Sequence, residues 1–188
     1  MIQASQLFDL SNILKPSSGH KAPTKLPDKV KVYLSTSFHD KEVVNSIINL
    51  LDSMRAGSYV DWLDRKADNF NQNRVDFAKR LVKMIARQDK YILVLTDHTL
   101  TSQWANWELG VAHMLKLKKD QLAIFPVTSD EDVLMRSEFR NIYPIIAFNE
   151  KCGDNFDSKA LLNQFQIIYP PINGVKQKKI SLQKWLMK

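Results

Sequence analysis

One cysteine, five glycines and no long apolar run set the first limits on this 188-residue chain. The lone Cys152 excludes an internal disulfide and a CxxC-type zinc site, and fits a reducing compartment. None of the few glycines falls in a GxGxxG or GxxxxGK[ST] pattern, which excludes a classical dinucleotide fold and a phosphate-cradling P-loop. No stretch approaches the ~20 apolar residues that cross a bilayer. The opening MIQASQLFDL has neither a positive segment nor a continuous apolar core, so no signal peptide is expected. These absences predict a soluble, cytoplasmic protein with no membrane partner.

Acid is the scarcer charge, with 20 Asp and Glu against 27 Lys and Arg, a net +7. Such a balance invites nucleic acid, but the placement of the lysines argues against it. They gather in 15–28, in Lys116–Lys119 and in Lys176–Lys179, at element ends and without interleaved aromatics. Solubility and favourable charge at helix C-termini account for them, and no nucleic-acid partner is expected.

What is present is an alternation of periods. Residues 2–14 have helical spacing through Leu7, Leu10 and Leu14, and 15–29 read as a linker with three prolines. Strands are predicted at 30–37, 58–64, 90–96, 121–128 and 141–148. Helices are predicted at 40–54 with Asp40 as N-cap, at 74–88 with Val75, Ala78, Leu81, Val82 and Ile85 on one face, and at 100–117 capped by Thr101 or Ser102. Residues 158–168 and the terminal ISLQKWLMK also read as helical. The expected fold is α/β, an open, mostly parallel five-stranded sheet flanked by helices. Its parts are a helical arm and linker over 1–29, the α/β domain over 30–150, and a helical extension over 151–188 packed on that domain.

Ligands bind outside the carboxyl ends of the strands in such sheets. Here those ends are Ser35–Asp40, Trp62–Arg65 and Thr96–Thr99. The helix after the third carries Glu108 in line with Trp104, Val111, Ala112 and Leu115, beside Trp107. A carboxylate on a packed stripe loses hydration and its pKa rises; at the stripe's edge it would only cap or pair. Gly110 in that helix calls for a reason such as close approach of another backbone. His39, His98 and His113 show no metal-ligand grouping, His113 is expected in solvent, and no metal site is predicted.

VKVYLSTSFHD, then YVDWLD, then KYILVLTDHTLTSQWANWELGVA, in this order and spacing, resemble a Toll/interleukin-1 receptor (TIR) domain. The resemblance rests on Ser35, Asp64, ILVLT, Ser102 with Trp104, and Glu108 with Leu109, and covers roughly 30–150. It implies a flavodoxin-like fold and, for catalytic members, cleavage of NAD⁺ at the nicotinamide–ribose bond, with NAD⁺ as substrate and no cofactor. Glu108 matches the catalytic glutamate. Nicotinamide leaves as a neutral molecule, so no general acid is needed, and one fixed anion can stabilise the ribosyl cation. Thr36, Ser37, Phe38, Trp62, Asp64 and Trp104 match positions that line the substrate site in relatives. Trp62 and Trp104 could equally be core tryptophans, and Asp64 could simply start the loop.

The loop RKADNFNQNR lacks the glycine or proline of receptor-type and adaptor relatives, which favours the stand-alone microbial type. Basic residues that some relatives carry after the first strand are replaced by Ser37 and Phe38. The chain thus resembles the TIR subunits of bacterial anti-phage systems such as Thoeris, which make cyclic ADP-ribose-type signals for a separate effector. Hydrolysis and cyclisation share their first step and both stay open. Homotypic TIR–TIR association is implied as well. Two other readings are a non-catalytic TIR scaffold and an enzyme like the nucleoside 2-deoxyribosyltransferases.

Overall fold

Central strands buried on both faces and helices with 3.6-residue periodicity build a two-faced sheet in the computed structural model, which describes residues 2–14, 30–63, 74–127, 138–149, 158–171 and 177–188. The strands are β1 (Val30–Ser35), β2 (Ala56–Tyr59), β3 (Lys90–Leu95), β4 (Leu122–Pro126), β5 (Ile145–Phe148), β6 (Phe165–Ile168) and β7 (Lys179–Ser181). Their order across the sheet is β2-β1-β3-β4-β5-β6-β7. β2 through β5 pair in parallel, whereas β6 and β7 add antiparallel strands at one edge. The α/β class and mostly parallel sheet are as expected, with seven strands in place of five.

The helices are α1 (Ala4–Leu14), α2 (Lys41–Ser53), α3 (Arg74–Arg87), α4 (Asp97–Thr101), α5 (Gln103–Lys116), α6 (Phe139–Ile142), α7 (Ser158–Leu162) and α8 (Leu182–Leu186). Because strand side chains alternate, Val32 and Leu34 face one core with α1, α2 and α8. Tyr33 faces the other, with α3 and α5. β3 is buried along its whole length, as a central parallel strand should be. Leu7 of α1 is buried in the first core, and Ile2 forms a parallel bridge to Val127, so this helix packs on the sheet's own face.

Several local expectations are corrected. The strand expected at 58–64 ends at Tyr59, and Asp61–Leu63 turn as a 3₁₀ helix. Residues 139–142 form a helical turn, and only Ile145–Phe148 extend as strand after Pro144. The helix expected over 158–168 stops at Leu162; Phe165 and Ile167 are buried and their neighbours less so, the period of a strand. ISLQKWLMK divides between β7 and α8. The 100–117 helix is two helices broken at Ser102, whose hydroxyl accepts from Ala105 N–H and caps α5. On α3 the buried set is Phe77, Leu81 and Ile85, while Val75 is 62% exposed. Lys116 is buried, its ammonium donating to the Ala86 and Gln88 carbonyls at the end of α3. The expected linker over 15–29, Asp64, the loop 65–73 and Cys152 lie outside the described residues.

Gly110 is exposed on α5, and a Cβ built there meets nothing within 4 Å. Among the described residues, the close backbone approach expected for it is absent. Gly110→Ala should stabilise the fold by roughly 0.5–1 kcal/mol, a rise of about 2 °C in melting temperature for a chain of this size. A fall in melting temperature would show that something covers this face of α5.

Candidate active site

Tyr33 and Ser35, two residues apart on β1, project to the same side of the sheet and meet Glu108 of α5. The Tyr33 hydroxyl donates to Glu108 Oε1 at 2.8 Å and the Ser35 hydroxyl to Oε2 at 2.5 Å. Glu108 is only 3% exposed. It is thus a core residue, and the edge-of-stripe alternative is excluded. Its pKa is pushed up to about 8, chiefly by burial and then by the charge of Asp61; the two hydroxyl bonds favour the anion but are outweighed. Burial, and then Glu108 itself, push the Tyr33 phenol far above its ordinary range, so it stays a neutral donor. The Tyr33 ring stacks on Tyr91, with centroids 5.6 Å apart.

Above this carboxylate the carboxyl ends of β1, β2 and β3 open into a cleft of about 690 Å³. Thr36, Ser37 and Phe38 line it from the first strand end, Trp62 from the second, and Trp104 from the start of α5. Five of the six expected lining residues therefore share one cleft, and the sixth, Asp64, is not described. Glu108 lies beneath the lining rather than in it. Trp62 sits in the 3₁₀ turn, not on a strand. Its indole N–H donates to Thr36 Oγ1 at 2.9 Å, and its ring meets Phe38 edge-on at 5.7 Å. It is half-buried, packs against the first core and also lines the cleft. Trp104 forms a wall, stacked between Phe77 at 5.6 Å and Trp107 at 5.0 Å.

Five further residues line it: His39 and His98, which lie in the expected strand-end stretches, Ser102 at the cap of α5, and Asp61 and Phe77, which have no place in the expected site. Asp61 matters most, because it adds a second carboxylate where one was expected. Burial raises its pKa, against two backbone hydrogen bonds that lower it. Asp40, expected as the α2 cap, makes no capping bond; its carboxylate accepts from the Thr96 hydroxyl at 2.6 Å and lies 2.7 Å from His98 Nδ1. His113, expected in solvent, is half-buried with Nδ1 2.9 Å from the Tyr143 hydroxyl.

The two carboxylates yield a pH prediction. Asp61→Asn removes a negative charge that opposes ionisation of Glu108, so the Glu108 pKa should fall from about 8. If the ionised carboxylate is the active form, the acid limb of kcat/KM against pH moves to lower pH in Asp61→Asn. An unmoved limb would show that Glu108 does not govern it.

A mostly parallel sheet flanked by helices, with a buried glutamate on a helix that follows its third strand, agrees with the TIR resemblance of the sequence. The TIR domain family profile matches residues 32–163, and the chain belongs to that family. It is 28% identical over 125 residues to a protein of Bacillus cereus (strain MSX-D12) named Probable 3' cyclic ADP-D-ribose synthase ThsB'. The alignment spans 64% of this chain and 63% of that relative. Among solved structures, a 2-deoxyribosyltransferase of Bacillus psychrosaccharolyticus is similar at 17% identity with a TM-score of 0.49, covering 70% of this chain and 95% of that one. Among the described residues no helix is long and apolar enough to cross a membrane.

Proposed function

We propose that this chain cleaves NAD⁺ at the nicotinamide–ribose bond, giving nicotinamide and either ADP-ribose or a cyclic ADP-ribose-type signal. The observation that carries the reading is Glu108, a carboxylate only 3% exposed and gripped by two hydroxyls beneath an aromatic-lined cleft, which matches the catalytic glutamate of the family by resemblance. Burying such a group opposes its charge, and strongly perturbed carboxylates of this kind cluster at functional sites. In the empty site much of it is protonated near neutral pH. A bound pyridinium cation favours the anion, and the ribosyl cation that forms as nicotinamide departs favours it further. The cleft volume is within the range of small-molecule sites, and Trp62, Phe38 and Trp104 offer ring faces and edges for stacking.

The name of the Bacillus cereus relative supports cyclisation. On the resemblance to Thoeris-type TIR subunits, the reading extends to a cytoplasmic signalling role in anti-phage defence, with a separate effector sensing the product. Homotypic TIR–TIR association belongs to the same reading. The test is incubation of the purified chain with NAD⁺ across protein concentrations, with products separated by chromatography. Nicotinamide release with ADP-ribose or a cyclic isomer is expected, at a specific activity that rises with concentration. No release even at high protein concentration would favour the non-catalytic scaffold.

A further inference from the structure

Asp40 and His98 lie 58 residues apart in sequence, yet they form a pair that the chemistry of Glu108 does not use. The Asp40 side chain is 8% exposed, and both of its oxygens are engaged, one by the Thr96 hydroxyl and one at His98 Nδ1. Thr96 is itself fixed, forming the capping box of α4 with Thr99, whose hydroxyl donates to the Val94 carbonyl at 2.8 Å. An ionised carboxylate can only accept. The hydrogen therefore sits on Nδ1, and in the neutral ring Nε2 holds a lone pair. The His98 side chain is 56% exposed and lines the cleft, with the His39 ring 5.3 Å away. An imidazole anchored through one nitrogen by a buried carboxylate, in a ring that lines a cleft, is the arrangement of an oriented base.

Departure of nicotinamide needs no proton, but the second half of the reaction does. An oxygen nucleophile, whether water or a ribose hydroxyl, reaches the ribosyl carbon carrying a proton that must go somewhere. We propose that His98, oriented by Asp40 and Thr96, is the base that takes it, an inference resting on the NAD⁺ reading above. The C1–N bond breaks first, its electron pair returning to the nicotinamide nitrogen, and His98 acts only in the step that follows. A nucleophile lone pair forms the new C1–O bond. The nucleophile's proton passes to His98 Nε2, and the imidazolium, paired with Asp40, releases it to solvent.

Two measurements on one sample separate this role from binding or folding. Product formation reports the whole reaction. Exchange of labelled nicotinamide into NAD⁺ reports formation of the cation alone, because returning nicotinamide has no proton to lose. His98→Ala should lower product formation by about 10²-fold or more, keep the exchange, and recover product when free imidazole is added. Asp40→Asn should move in the same direction by less, because the imidazole remains without its anchor. Glu108→Gln should lose both product and exchange. Unchanged product formation in His98→Ala overturns the proposal. A parallel loss of product and exchange overturns it too, since His98 would then serve binding or the fold. Absence of both signals in the parent protein would remove the NAD⁺ reading, and this proposal with it.

Discussion

Glu108→Gln is expected to lose nicotinamide release by at least ~10²-fold, the usual scale for removing a preorganised electrostatic group, while melting no lower than the parent at pH 8 and above. Amide for carboxylate keeps the shape of the side chain and leaves Tyr33 and Ser35 a partner. It removes the charge that, on the proposed function, stabilises the ribosyl cation. The stability half follows from linkage. The folded-state pKa is about 8 against an ordinary 4.5. Between those values the folded chain keeps a proton that the unfolded chain has released. The stabilisation from this group is therefore complete below about pH 4.5 and is lost as pH rises through 8. At about 1.4 kcal/mol for each pH unit separating the two states, the loss amounts to several kcal/mol. Glutamine does not ionise, so the variant's melting temperature should vary less between pH 5 and pH 9 than the parent's. Melts across that range and turnover on the same preparations check both halves. Near-parental turnover would sink the catalytic assignment, and parallel melting curves would show that burial does not oppose the Glu108 charge.

The parts of this site legible in the sequence are those set by local periodicity. Glu108 stood out because a carboxylate interrupted an apolar helical stripe. Thr36, Ser37 and Phe38 followed from the rule that strand ends bind ligands, once β1 had been recognised from its β-branched and aromatic run. Tyr33 carried a usable signal that went unread: it lies two residues before Ser35, hence on the same strand face, aimed at the same helix. Asp61 was hidden by reading 58–64 as one strand. That reading gave Asp61 no special place and pointed to Asp64 instead, whereas the 3₁₀ turn at Asp61–Leu63 puts Asp61 and Trp62 on the cleft. The pairing of Asp40 with His98 had no sequence signal at all. It arises only because parallel pairing of β1 with β3 brings the loops after them side by side. β6 was missed for a related reason. Four residues after a helix carry too little period to read alone, and their extension depends on antiparallel pairing with β5.

Trp185→Ala is expected to cost about 3–5 kcal/mol of folding stability, the scale for truncating a fully buried tryptophan, although it lies beyond the 32–163 that the family profile matches. Trp185 is completely buried in the core on the α1 and α2 face of the sheet. The Lys90 ammonium sits 4.5 Å from its ring centroid, and its indole N–H donates to Asp120 Oδ1 at 3.3 Å. Asp120 is the node of this region. Its backbone is left-handed, with φ 56°, at the turn into β4, and its carboxylate also accepts from the Tyr169 hydroxyl at 2.9 Å and from the Lys188 ammonium at 3.2 Å. Removing the indole thus opens a cavity and leaves part of a polar cluster short of a donor. For a chain of this length the melting temperature should fall by roughly 10 °C or more. Trp185→Phe separates the two contributions, because it fills most of the space and lacks the N–H; it should lose only a fraction of that amount. Glu108 and its hydroxyl partners lie on the other face of the sheet, so nicotinamide release per folded molecule at low temperature is expected to stay at the parental level. A drop below about 1 kcal/mol in Trp185→Ala would mean that α8 contributes little to the fold. A loss of turnover in fully folded protein would mean that the two faces are coupled.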